Sequence, residues 1–340
     1  MTAEPVLSPE NRRDVTAETE QYREPAISVS GLRKVYGATV ALHDLTLTVQ
    51  PGEIFGFLGP NGAGKTTAVK LITGLAHPTS GEGSVLGRPL GSRAGRRELG
   101  YLPELFRFQE WLTASELLDV HGELAGVPRA ERQARITELL ELVGLADRAR
   151  DRVGAFSKGM QQRVGLAQAL MGRPRLVILD EPTSALDPIG RRDVRNIIQR
   201  LKADGVTVFL NSHLLSEVEL VCDRVAFVNG GRVVREGRVE DLLTDRLELH
   251  VRAEGLTPAV LDDLRRHWRL ISQAGDHLLL AMTRPEEAGD VARFLVGQGV
   301  TLLELLPRRS NLEQLFVELV EGSNDGRVDV RPLDHARSGT

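Results

Sequence analysis

Apolar and polar positions alternate along two early stretches, AISVSGLRKVYG from Ala26 and TVALHDLTLTV from Thr39. A two-residue period of this kind predicts antiparallel strands with one buried face. Further along, the alternation gives way to continuous apolar runs: EIFGFLG from Glu53, RLVILD from Arg175 and VTVFLNS from Val206. Such runs predict strands of a parallel sheet, buried on both faces. Helical spacing separates them. TASELLDVHGELAG opens on Thr113 with Glu116 three residues later, a capping box. RAERQARITELLELVGL continues the helical pattern to Gly144.

From about Arg246 the texture changes. RLELHVRA reads as a strand, TPAVLDDLRRH as a helix, RLISQAG and DHLLLAMT as strands, PEEAGDVARFLVGQG as a helix, VTLLELLP as a strand and SNLEQLFVELV as a closing helix. That β-α-β-β-α-β order predicts a small ferredoxin-like α+β domain over residues 246–320, with nothing catalytic in it. Residues 1–25 and 321–340 are polar, charged and aperiodic, and are expected to be disordered tails around a main domain at 26–243.

Composition narrows the function classes. A chain of 340 residues, 41% apolar, can bury the cores of two domains. Its net charge of −4 disfavours binding to nucleic acid through phosphate contacts. The single cysteine, Cys222, permits no internal disulfide and reads as a small buried hydrophobe rather than a catalytic thiol. No apolar run reaches the ~18–20 residues that cross a bilayer. The N-terminus has no apolar signal segment. A soluble protein that reaches a membrane only through a partner is therefore expected.

The chemistry concentrates at strand ends. GPNGAGKTT, Gly59 to Thr67, fits G-x-x-x-x-G-K-[ST] and lies between a predicted strand and a predicted helix. Gly59, Gly62 and Gly64 let the loop, with Pro60, Asn61 and Ala63 in it, wrap a phosphate closely so that the N–H groups of its non-proline residues point inward, and the helix adds its positive end. Lys65 can reach the outer phosphates, Thr66 can ligate Mg²⁺, and Thr67 continues the helix start. After RLVIL come Asp180 and Glu181. Asp180 is placed to hold Mg²⁺ through water, and Glu181 to orient or deprotonate a water. A solvated acidic loop is the plainer explanation, weakened by the apolar strand before it. His213 follows the third apolar run; a lone histidine is usually incidental, but here it could hydrogen-bond a terminal phosphate.

In chain order these residues resemble the nucleotide-binding subunit of ATP-binding-cassette (ABC) transporters, over about residues 26–243. GPNGAGKTT matches the Walker A loop, LVILDE the Walker B, SALD ending at Asp187 the D-loop, and His213 the switch histidine. Tyr36 matches the aromatic that stacks on adenine. FSKGM takes the place of the signature sequence, with Ser157 and Gly159 at the positions that meet the γ-phosphate bound by the opposite subunit.

The resemblance implies an α/β P-loop NTPase fold with a mixed sheet core, an antiparallel β subdomain and a helical subdomain over about residues 105–170. It also implies ATP and Mg²⁺ as ligands, a homodimer closed on two ATPs, and a separately encoded integral-membrane permease. The site would be cytoplasmic, peripheral to the cell membrane.

Two departures stand out. Phe156, Lys158 and Met160 replace the usual leucine, glycine and glutamine of the signature, while Ser157 and Gly159 are kept. Glu104 takes the place of the Q-loop glutamine; it can accept from Mg²⁺-bound water but cannot donate as an amide does. The aromatic stretch Phe106, Phe108 and Trp111 either packs the helical subdomain or borders the groove for a permease helix. YLPE, FSKGMQQR and the C-terminal appendage are similar to the subfamily serving ABC-2-type export permeases. The alternatives are an ABC ATPase acting on nucleic acid or ribosomes, and a P-loop GTPase or small-molecule kinase. The chain has no CxxC, no sustained heptads and no N-K-x-D to support them.

Overall fold

The computed structural model describes residues 24–105, 107–184, 186–244, 247–309 and 311–324. Of the tails expected at residues 1–25 and 321–340, residues 1–23 and 325–340 lie outside the described residues, as do Phe106 and Ala185. Two compact units divide the chain, one ending at Glu236 and the other beginning at Gly237.

The first unit runs β1 (Ile27–Tyr36), β2 (Thr39–Val49), β3 (Ile54–Leu58), α1 (Lys65–Ile72), β4 (Ser80–Val85), β5 (Arg88–Pro89), α2 (Arg93–Arg97), β6 (Leu99–Leu102), α3 (Ala114–Leu124), α4 (Arg129–Leu142), α5 (Lys158–Ala169), β7 (Leu176–Asp180), α6 (Pro188–Ala203), β8 (Thr207–Asn211), α7 (Leu215–Val221), β9 (Arg224–Asn229) and β10 (Arg232–Arg238). Its strands lie in the order β5-β4-β1-β2-β10-β9-β3-β8-β7-β6. β1 pairs antiparallel with β2 and β4, which forms the antiparallel part. β9, β3, β8, β7 and β6 are parallel neighbours.

Every residue of β3, β7 and β8 is buried, as their unbroken apolar runs require. Phe55, Phe57, Phe209 and Ile178 join Leu42, Leu45 and the inner face of α1 in one core. Because β3, β8 and β7 are parallel and adjacent, their carboxyl ends open on the same edge, where open α/β sheets place ligands.

The helical part is anchored locally. Thr113 caps α3: its Oγ1 accepts from the Glu116 N–H at 3.2 Å, and the Glu116 carboxylate accepts from the Thr113 N–H at 2.8 Å. The backbone around this cap is laced to the stretch that precedes α5. Ala114 N–H donates to Asp151 O (3.1 Å), Ser115 N–H to Ala149 O (2.9 Å), Val153 N–H to Leu112 O (2.9 Å) and Gly154 N–H to Glu110 O (3.1 Å). Only glycine fits at 154, since a Cβ there would sit 2.8 Å from the Glu110 carbonyl oxygen. Trp111, in the aromatic stretch, is 70% exposed rather than packed in a core. Cys222 is buried and its thiol is pushed up by desolvation, which removes it as a nucleophile.

The second unit begins with α8 (Val239–Thr244) and continues as β11 (Leu247–Glu254), α9 (Pro258–His267), β12 (Arg269–Ala274), β13 (His277–Met282), α10 (Glu287–Gly297), β14 (Thr301–Arg309) and α11 (Leu312–Asn324). The sheet order is β12-β13-β11-β14, all antiparallel, the split β-α-β arrangement that the sequence predicts. Leu249, Val251 and Leu280 from the sheet meet Leu261 and Leu264 of α9 and Val291 and Leu295 of α10. The closing helix runs on through Asn324, so residues 321–324 are helical where a tail is expected. Extending an established helix by a turn costs little once its start is nucleated. Among the described residues, no helix is long and apolar enough to cross a membrane.

Candidate functional site

The loop after β3 turns tightly into α1. Gly64 takes φ 99°, and a Cβ on it would lie 2.5 Å from the Ala41 carbonyl oxygen. At Gly59 the obstacle is the Val228 carbonyl, 2.3 Å away. Larger residues would push the loop out of its seat between β2 and β9. Helix α1 has no side-chain cap and no acid in its first turn, so its leading N–H groups and positive end are offered to an anion. Lys65 is buried, and its Nζ donates to Gly59 O (2.7 Å) and Pro60 O (3.2 Å). Desolvation lowers its pKa, while Glu181, Asp180 and Glu104 pull the other way. Asn61, Gly62 and Thr66 are exposed on the rim, and Ala63 is buried beneath.

Asp180 ends β7 and is 2% exposed. Burial raises its pKa first, the Asn211 hydrogen bond opposes this, and Glu104 and Glu181 add to the rise. Tyr101 of β6 is pushed up to about 12 by burial and then by Asp180 and Glu104. Lys65, Asp180, Glu181, Glu104 and Tyr101 therefore share one electrostatic neighbourhood. Glu181 is buried at φ 53°, in the left-handed region that a non-glycine residue occupies only at a cost. Its N–H donates to Asn211 O at 2.8 Å, and its Oε2 lies 2.7 Å from His213 Nδ1. His213 is half exposed, so one imidazole edge holds the carboxylate while the ring reaches solvent. This geometry can align a water against a terminal phosphate.

The raised Asp180 pKa carries a stability consequence. The folded chain holds this proton more tightly than the unfolded one, so ionising Asp180 weakens the fold as pH rises through the raised value. At neutral pH the full cost is present. Asp180→Asn keeps an acceptor for Asn211 and removes the buried charge. The nucleotide-free variant is therefore expected to melt higher than the parent at pH 7, by roughly 2–4 °C for each kcal/mol relieved. The difference should shrink as pH falls toward 4. Calorimetry of both proteins across that range checks it, and a lower melting temperature at pH 7 would count against a destabilising charge.

The remaining predicted residues lie elsewhere. Tyr36 ends β1, 46% exposed, with Lys34 Nζ 4.8 Å above its ring. Ser157 caps α5, its Oγ accepting from Met160 N–H at 3.3 Å, and no acid occupies the first turn. Phe156 is buried beneath this start, in the usual leucine's place. A Cβ on Gly159 would meet Leu186 at 3.3 Å, and Asp187 caps α6 by accepting from Gly190 N–H at 2.7 Å. Among the described residues no hydrogen bond or ion pair joins Tyr36, Ser157, Gly159 or Asp187 to the loop at Gly59–Thr67.

Asn211 escapes the sequence reading. It is 2% exposed, and its Nδ2 donates to Asp180 Oδ1 at 2.5 Å. The available signal is register: the last residues of adjacent parallel strands, Asp180 and Asn211, are paired.

The family model described as "ABC transporter" matches residues 42–184. An uncharacterized ABC transporter ATP-binding protein from Nostoc is 47% identical over 67% of this chain and 71% of its own. The bacitracin transport ATP-binding protein of Bacillus licheniformis is 34% identical over 88% of this chain and 99% of its own. The Nod factor export ATP-binding protein I of a Rhizobium species is 35% identical over 86% and 96%. Among solved structures, an ATP-binding subunit of an ABC transporter superposes with a TM-score of 0.60 at 33% identity, covering 71% of this chain and 98% of that one. A dimeric post-hydrolysis ATP-binding cassette bound to ADP and Pi gives 0.58 at 27%, covering 63% and 98%. With the glycine-rich loop at Gly59–Thr67, the paired carboxylates and the histidine on one sheet edge, this chain belongs to the ABC transporter family as an ATP-binding, ATP-hydrolysing subunit.

Proposed function

We propose that two copies of this chain close on two molecules of ATP, part after hydrolysis, and so drive a separate integral-membrane permease in export. The observation that carries this reading is the division of the phosphate-binding groups. The loop, Lys65, Asp180, Glu181 and His213 sit on one sheet edge, while among the described residues no hydrogen bond or ion pair joins the Ser157 helix start to them. A γ-phosphate presents three charged oxygens, and one loop covers only part of them. A second helix N-terminus, from another copy, completes the enclosure. The likeness to a dimeric cassette supports the same arrangement.

Within each half, Gly59 to Thr67 binds the phosphates and Tyr36 stacks on the adenine. Glu181 takes the proton of the attacking water, and His213 keeps that carboxylate aimed. Ser157 and Gly159 seal the partner's nucleotide, and Asp187 fixes the start of α6 beside Leu186. Thr66, Asp180 and Glu104 fit Mg²⁺. Among the described residues no cluster of three or more acidic, histidine or cysteine side chains forms a cage, and Mg²⁺ on phosphates needs only one or two protein oxygens besides water. The ion would neutralise charge on the phosphates. The bacitracin transport and Nod factor export relatives favour an export role, on the cytoplasmic face of the cell membrane where ATP is supplied.

Ser157→Glu tests the sandwich, since it sets a carboxylate against the partner's γ-phosphate. In a Glu181→Gln background with Mg-ATP, sedimentation should give a dimer for Ser157 and a monomer for Ser157→Glu, a loss of more than about tenfold in association. Nucleotide affinity of the monomer should not change. Equal dimerisation of the two proteins would remove Ser157 from the interface.

A further inference from the structure

We infer that Asn211 is a positioning residue of the hydrolytic centre, fixing Asp180 and Glu181 relative to each other and presenting its own Oδ1 to a water beside the bound nucleotide. Three observations support it. First, one side chain and one carbonyl reach both carboxylates: Nδ2 donates to Asp180 Oδ1 at 2.5 Å and the backbone oxygen accepts from Glu181 N–H at 2.8 Å. The second bond helps hold Glu181 in its left-handed conformation, from which Oε2 meets His213. His213 itself follows only two residues later, with Ser212 Oγ accepting from Leu214 N–H at 3.1 Å to set that backbone.

Second, the orientation of the amide is determined by its partner. An ionised carboxylate only accepts, so the nitrogen must face Asp180 and the oxygen must point the other way. Asn211 Oδ1 is buried and accepts no hydrogen bond among the described residues. A buried acceptor without a donor costs stability. Third, the residue is a poor choice for the strand. β8 lies between β3 and β7, and Val208, Phe209 and Leu210 before it are buried apolar residues. Asparagine is depleted in strands, where a branched aliphatic would pack better. A site that is costly twice over, by an unpaired oxygen and by low strand preference, is explained by a donor that arrives with the nucleotide, and the donor that fits beside two carboxylates is water.

The test uses the purified full chain and two variants. Asn211→Leu keeps the forked heavy-atom skeleton and suits the strand but removes both polar atoms. Asn211→Ser keeps a short hydroxyl. Asn211→Leu is expected to lower kcat by about 10–100-fold, the usual loss when a hydrogen-bond partner of a metal-binding carboxylate is removed. The KM for ATP should stay within about threefold. The Mg²⁺ concentration for half-maximal activity should rise. ATP binding measured in EDTA, which a general structural defect would also weaken, should be unchanged. Asn211→Ser should fall between the parent and Asn211→Leu. If Asn211→Leu does not fold, Asn211→Ser against the parent gives the same reading. A kcat within about twofold of the parent, or metal-free ATP affinity lost together with kcat, would overturn the inference. It rests on the roles proposed above for Asp180 and Glu181. Hydrolysis surviving Glu181→Gln would defeat those roles, whereas parent-like Asn211 variants beside an inactive Glu181→Gln would defeat this inference alone.

Discussion

Glu181→Gln is expected to bind ATP as the parent does and to release almost no phosphate. Glutamine keeps the length of the side chain, the buried setting and an oxygen that can face His213, but it cannot take a proton. Losing a positioned general base costs about 10²–10⁴-fold in rate. The backbone should stay in place, because the bond from the residue 181 N–H to Asn211 O does not depend on the side chain. Since ATP would then persist between two copies, the variant should also accumulate as an ATP-bound dimer. Phosphate release under single turnover and mass by light scattering measure the two consequences separately. Hydrolysis at the parent rate would remove Glu181 as the base.

Lys65→Ala acts one step earlier, on binding. In the loop the ammonium is buried and donates to the Gly59 and Pro60 carbonyls, with three carboxylates pulling its pKa up against desolvation. Alanine removes the cation proposed to meet the phosphates and leaves Asp180, Glu181 and Glu104 without it. One charge-assisted bond contributes about 1.5–3 kcal/mol, so affinity for ATP should fall by about ten- to a hundred-fold. Titration calorimetry of the variant reads this directly, and an unchanged dissociation constant would end the phosphate-loop assignment. The two variants part in their signatures: Glu181→Gln spares binding and loses turnover, while Lys65→Ala loses binding first.

The features legible in the sequence are those whose cause is local. The loop Gly59–Thr67 is readable because the steric need for glycine and the helix behind it lie within nine residues. The Thr113–Glu116 box is readable because both partners sit in one turn. β7 and the C-terminal β-α-β-β-α-β order show in apolar runs and in periods. Features set by distant pairing are not readable. Asn211 meets Asp180 across 31 residues, through a parallel register that no local pattern encodes. At the end of an apolar run it looks like a turn residue. The left-handed backbone of Glu181 is also silent in the sequence, since glycine and asparagine are the residues that announce such a conformation. The short edge strand β6 is only four residues long and carries too little pattern to stand out.

The backbone lacing between Glu110–Ser115 and Ala149–Gly154 joins two places that the chain keeps far apart. One of these segments begins six residues after Glu104, which shares the electrostatic neighbourhood of Lys65 and Asp180. The other ends three residues before Ser157, the residue proposed above to seal the nucleotide of a second copy. Tied rung to rung, the two segments are held as a crank, so that in the proposed sandwich a shift at one nucleotide would swing the helix tip set against the other. On that reading the two nucleotide sites would be geared together inside each subunit, before any contact between subunits is made.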